Sequence, residues 1–153
     1  MGLEELFGRI EKRFGKEAVV GNDIKVDTVS SGSMALDEIL GGGFALGRIH
    51  EIYGGFSSGK SSAALHLSAS VQKTLGKAVG YVDTEQALDL EYAKALGVDL
   101  SRDKWIMSQP DSAEQALEIV REMLEVPEIG LVVLDSVAGL VPEAVLQGEA
   151  GDA

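Results

Sequence analysis

The sequence contains no cysteine. That excludes disulfides, zinc–thiolate sites and thiol nucleophiles. It has no apolar run near the ~20 residues that a membrane span requires. The first fourteen residues are charged and amphipathic and lack the apolar stretch of a secretory signal. Met1-Gly2 is not the start of a myristoylation signal, because position 6 is leucine and not serine or threonine. A cytoplasmic location is the default expectation. Basic residues are scarce: 13 against 25 acidic ones, a net charge of −12. A general nucleic-acid binder neutralises phosphates with lysine and arginine, so this balance argues against one. It does not exclude a nucleotide site, since screening confines surface fields to roughly 8–10 Å and a local nest of N–H donors outweighs distant carboxylates. No internal repeat and no low-complexity segment interrupts the chain.

What is present suits one α/β domain. The chain has 153 residues, 45% of them hydrophobic and 25% charged, enough for a real core and little more. Its most informative stretch is Glu51-Ile-Tyr-Gly54-Gly-Phe-Ser57-Ser58-Gly59-Lys60-Ser61-Ser62, which fits G-x-x-x-x-G-K-[ST]. Glycines at 54 and 59 permit positive φ and leave room for backbone N–H groups to wrap a phosphate. Lys60 supplies a point charge for the β/γ-phosphates, and the Ser61 hydroxyl suits Mg²⁺. Ser61 onward reads as a helix start, which favours an anion. Gly54, Ser57, Ser58, Gly59, Lys60, Ser61 and Ser62 are thus the candidate nucleotide-binding residues. The strand character of residues 48–53 and the helical pattern from 61 onward provide the flanks this motif requires.

Around this loop the chain alternates. Strands are expected at residues 48–53, 78–83, 104–108 and 131–135, with a short one at 25–29. Helices are expected at 33–40 with Ser33 as N-cap, at 61–75 ending at Gly76, at 90–96 ending at Gly97, and at 112–125. The last is expected to start on Asp111 with Glu114 completing the cap and to bury Ala113, Ala116, Leu117, Val120 and Leu124. Alternation of this kind predicts βαβ units and a parallel sheet. The continuously apolar run 130–134 reads as a central strand covered on both faces. Residues 3–14 put Leu3, Leu6, Phe7, Ile10 and Phe14 on one helical stripe. This is either a helix folded onto its own core or one that docks on a neighbouring subunit. Turn residues Gly21-Asn22-Asp23 set it off as a separate arm.

Ligands of parallel sheets gather at the carboxyl ends of the strands. Asp135 closes its strand 75 residues after Lys60 and is the candidate to hold Mg²⁺ beside Ser61. Asp83 and Glu85 leave a neighbouring strand end, where a carboxylate would orient an attacking water; spacing alone does not rank the two.

The residues then resemble a family. Ser31-Gly32-Ser33-Met34-Ala35-Leu36-Asp37, Glu51-Ile52-Tyr53-Gly54, Ala87-Leu88-Asp89, Tyr92-Ala93-Lys94, Gly97-Val98-Asp99, Ser108-Gln109-Pro110-Asp111 and Asp135-Ser136-Val137-Ala138 are similar to the bacterial RecA recombinases, DNA-strand-exchange ATPases. The resemblance implies a P-loop NTPase of the RecA-like kind that binds ATP and Mg²⁺. It makes Glu85 the general base and Asp135 the second-motif aspartate. It also stacks Tyr92 on adenine with Asp89 near the adenine edge, and turns residues 1–24 into an amino-terminal self-association arm ahead of an incomplete core, 25–153. Gly55-Phe56 stands where the family usually has Pro-Glu, and Ser61-Ser62 replaces two threonines. The family's second DNA loop, γ-phosphate-sensing glutamine and interface lysines have no counterpart, and the chain ends near the first DNA loop. Hydrolysis is therefore expected to be slow, and binding of single-stranded DNA weak or absent. The alternatives are a non-catalytic nucleotide-binding assembly module and, ranked last, a small kinase.

Overall fold

The computed structural model describes residues 2–19 and 25–148; the turn expected at 21–23 lies outside them. In chain order the elements are α1 (Leu3–Phe14), β1 (Thr28–Val29), α2 (Met34–Ile39), β2 (Phe44–Ala45), α3 (Lys60–Leu75), β3 (Ala78–Asp83), α4 (Leu90–Ala95), β4 (Trp105–Ser108), α5 (Ala113–Leu124), β5 (Ile129–Asp135) and α6 (Glu143–Leu146). Short 3₁₀ turns occupy Lys16–Ala18 and Val137–Gly139.

A parallel sheet in the order β4-β3-β5 is the spine. β3 is its central strand and is buried at every position. Side chains alternate across it, as the pleat requires. Val79 and Tyr81 face Leu65 and Val71 of α3, and Val82 faces Ala116 and Met123 of α5. Leu65 and Val71 are each 1% exposed, and burying such side chains stabilises by about 1.5–3 kcal/mol apiece. Gln72 adds a polar clamp: its amide donates to the carbonyls of Asp99 and Lys104 and accepts from the Asp99 N–H, tying the segment before β4 to α3.

Apart from this sheet, β1 and β2 form a small antiparallel pair. Gly43 allows it: its φ is +116°, and a Cβ there would run into Val29's carbonyl, so there is no space for a side chain.

Four expectations need correction. The strand at 48–53 does not form; no strand pairs with it among the described residues, and Ile49 and Tyr53 are exposed. The segment is held instead by His50, whose ring nitrogen meets the Ala45 carbonyl at 2.8 Å and whose ring packs edge-on to Phe44. Within the described residues β5 is an edge strand, half-buried, and not the central one. The strand at 25–29 shrinks to two residues. Finally, α5 is capped by Ser112, which accepts from the Gln115 N–H, rather than by Asp111, and Glu114 accepts from the Glu143 N–H instead of closing the cap. Its buried face holds Ala116 and Met123 while Leu117 and Leu124 stay exposed. Met123 wins because it lies over Gly80, whose missing side chain leaves the hollow that its sulfur fills.

α1 contributes no residue to either core cluster. None of its residues is buried, and Leu3, Phe7 and Phe14 are exposed.

Candidate nucleotide site

The loop and the strand ends converge because β3 and β5 run parallel and in register, pairing Asp83 with Asp135 at their carboxyl ends. α3 begins immediately after the loop at Lys60, with Gly59 as its N-cap in the left-handed conformation, φ 90°. Ser57 takes positive φ as well, 55°, an uncommon state for a residue with a side chain. Gly54 does not use positive φ. A Cβ there would stand 2.8 Å from the Ser58 hydroxyl, so a side chain at this position would have to displace that hydroxyl. The Lys60 ammonium folds back on its own loop, donating to the carbonyls of Gly54 (3.2 Å) and Gly55 (2.9 Å).

The first turn of α3 meets two other elements. Ser61 Oγ donates to Asp135 Oδ2 at 2.7 Å, across 74 positions of sequence. The Tyr81 hydroxyl donates to the same oxygen at 2.6 Å. The next residue, Ser62, shares a 3.0 Å hydrogen bond with the Tyr92 hydroxyl. Asp89 caps α4 by accepting from the Tyr92 N–H, so Tyr92 is held at its backbone by Asp89 and at its tip by Ser62.

The two carboxylates after β3 part company. Asp83 is 3% exposed and fully engaged, accepting from the N–H groups of Ala87 and Leu88 and from the Gln109 amide. A buried carboxylate needs such partners, and these make it a clamp for the 84–88 turn. Glu85 is exposed and reaches Ser136, whose hydroxyl donates to Glu85 Oε1 at 2.5 Å. Thr84 locks the two segments together: its hydroxyl donates to the Ser136 carbonyl and accepts from the Ser136 N–H. Gly139 makes room for it, because a Cβ there would collide with Thr84 and crowd Glu85.

Residue spacing pointed to Lys60, Ser61, Asp135 and the pair Asp83/Glu85. It missed Tyr81, Thr84 and Ser136, whose roles depend on strand register. The one available signal was a tyrosine two residues before a strand-end aspartate, hence on the same face. Burial, the Asp135 hydrogen bond and the charges of Asp135 and Asp83 push the Tyr81 phenol far above its ordinary range.

The donor set fits a hard divalent cation. Ser61 and Asp135 bring oxygen ligands together, and Mg²⁺ takes one or two carboxylate or hydroxyl oxygens with phosphate and water supplying the rest. Among the described residues no cluster of three or more metal-ligating side chains exists, as an all-protein cage would require. The hollows at the opposite ends of the strands, around Ala78, Ile106 and Ile129 and around Gly76 and Lys104, bring together none of these groups.

The family model for the RecA N-terminal domain matches residues 2–153. The chain belongs to the RecA N-terminal domain family. Relatives named Protein RecA are 51% identical in Latilactobacillus sakei, 49% in Arthrospira platensis and 52% in Lactobacillus delbrueckii, each over 98% or more of this chain. The chain spans only 41–46% of the length of those three proteins. RecA-type architecture agrees with the parallel sheet and its flanking helices. No helix among the described residues is long and apolar enough to cross a membrane.

Proposed function

We propose that this chain is the nucleotide-binding core of a RecA-type P-loop ATPase, working within a longer protein that hydrolyses ATP in a DNA-dependent manner during homologous recombination and repair. The observation that carries the reading is the 2.7 Å hydrogen bond from Ser61 to Asp135. It joins the end of a G-x-x-x-x-G-K-S loop to a strand-end carboxylate, the pairing that phosphate and magnesium chemistry needs. In this reading the loop amides of residues 54–59 and Lys60 hold the phosphates, with Ser57, Ser58 and Ser62 lining the loop. Lys60 exchanges its two loop carbonyls for phosphate oxygens. Ser61 and Asp135 hold Mg²⁺, which when bound neutralises charge on the phosphates. Tyr92 covers the adenine and Asp89 lies at its edge. Glu85 orients the attacking water. Its exposure favours it over Asp83, which is committed to the backbone of the 84–88 turn.

The division is an arm, 1–24, and a core, 25–153. The exposed stripe of α1 suits self-association through this arm. Single-stranded DNA is a partner of the whole protein; for this acidic chain alone binding is weak or absent. A second reading, a non-catalytic assembly module, is favoured by that same stripe and by the edge of β5 that carries no paired strand among the described residues.

Titration with a fluorescently labelled ATP tests the main reading. Binding should weaken at least tenfold in Lys60→Ala, and equal binding by both chains refutes it. ATP turnover above background that disappears in Glu85→Gln would eliminate the assembly-only alternative.

A further inference from the structure

We propose that Tyr81 is a positioning residue for the cation side of this site. Its hydroxyl anchors Asp135 through Oδ2, so that Oδ1 is the oxygen presented to a divalent cation. The inference rests on the nucleotide reading above and assigns a role to a residue that no part of the phosphate motif contains.

Tyr81 sits on the central strand, opposite Val133 of β5, and is 0% exposed. From there its side chain reaches diagonally to Asp135, two residues further along β5, a distance that long aromatic side chains cover across a sheet. The ring is fixed against Trp105, with centroids 5.3 Å apart. A buried hydroxyl must find an acceptor, and among the described residues Asp135 is the acceptor it has.

Two hydroxyl donors therefore share Oδ2, and they differ in kind. Ser61 belongs to the first turn of α3, directly after the loop. Tyr81 belongs to β3, the strand buried at every position. Among the described residues neither Ser61 nor Tyr81 donates to Oδ1. A ligating carboxylate held by an outer partner keeps its orientation when the ligand arrives, and loss of such a partner typically weakens metal binding 10–100-fold. Tyr81 thus sets the direction of the Asp135 charge from the sheet, independently of the Ser61 hydroxyl.

The test uses the chain with ADP and Mn²⁺, following free Mn²⁺ by electron paramagnetic resonance. Tyr81→Phe should weaken Mn²⁺ binding about tenfold, while labelled ADP in EDTA binds within twofold of the parent. In an Asp135→Asn background the same change should add nothing. Unchanged Mn²⁺ affinity in Tyr81→Phe overturns the proposal. So does an equal loss in both backgrounds, or unfolding of the Phe variant, because each would make the hydroxyl merely structural. Failure of the nucleotide reading looks different: labelled ADP would then bind parent and Lys60→Ala alike.

Discussion

The two amphipathic helices α1 and α5 carry the same kind of pattern and meet different fates. α5 lies on the sheet, buries Ala116 and Met123, and is pinned at its start by Ser112. α1 has a cleaner apolar stripe, yet Leu3, Phe7 and Phe14 remain in solvent. Periodicity identifies residues that share a face. It does not say what covers that face, because the cover comes from elsewhere in the chain or from another molecule. The same contrast holds between strands. β3 is covered above and below, whereas residues 48–53, equally strand-like in composition, have no strand paired with them among the described residues and stay irregular.

The largest expected effect breaks the comparison at its strongest point. Leu65→Ala removes a core side chain that α3 buries almost completely and should destabilise by about 2–5 kcal/mol. Phe7→Ala in α1 should cost less than about 0.5 kcal/mol, as surface changes do. Urea unfolding followed by far-ultraviolet circular dichroism compares them directly. A similar cost at both sites would mean that α1 packs on the core in solution.

A smaller effect is expected where the site is locked together. Gly139→Ala drives a methyl into Thr84 and should cost about 1–3 kcal/mol, with Thr84→Ala in the same chain recovering most of it. Because Thr84 holds Ser136 beside Glu85, the single variant should also lose ATP turnover more steeply than nucleotide affinity. Steady-state rates beside binding titrations separate the two.

The smallest effect is a pH dependence. The Tyr81 phenol is raised in the folded state by burial first, then by its bond to Asp135 and by nearby negative charge. A raised value means that the folded chain holds this proton more tightly than the unfolded one. The stabilisation is complete below the unfolded value of about 10 and is lost as pH rises from there toward the folded value. Thermal unfolding should therefore fall more steeply above about pH 10 in the parent than in Tyr81→Phe. Parallel curves would show that the hydroxyl is solvated.

Much of the fold was legible locally. Gly59, Gly76 and Gly97 punctuate α3 and α4 as their positive φ requires, and β3 stands out as an apolar run before a carboxylate. The loop and Asp135 were legible because their chemistry is tied to element ends. Apart from the one-residue slip of the α5 cap from Asp111 to Ser112, the main failures involve non-local choices. Leu117 and Leu124 fit the α5 pattern as well as Met123 does, and only Gly80 on β3 decides between them. Asp83 and Glu85 looked equivalent until the 84–88 turn closed over one of them. Tyr81 became part of the site through the register of β3 on β5, which no stretch of sequence records by itself.

The central claim is that the 54–61 loop and Asp135 form one site for phosphate and cation. Thermal unfolding with Mg²⁺ and ATP tests it most directly, since a ligand that binds only the folded chain raises its melting temperature. The account predicts a rise for the parent, a smaller one when EDTA replaces Mg²⁺, and none in Lys60→Ala. An equal rise in all three would contradict it.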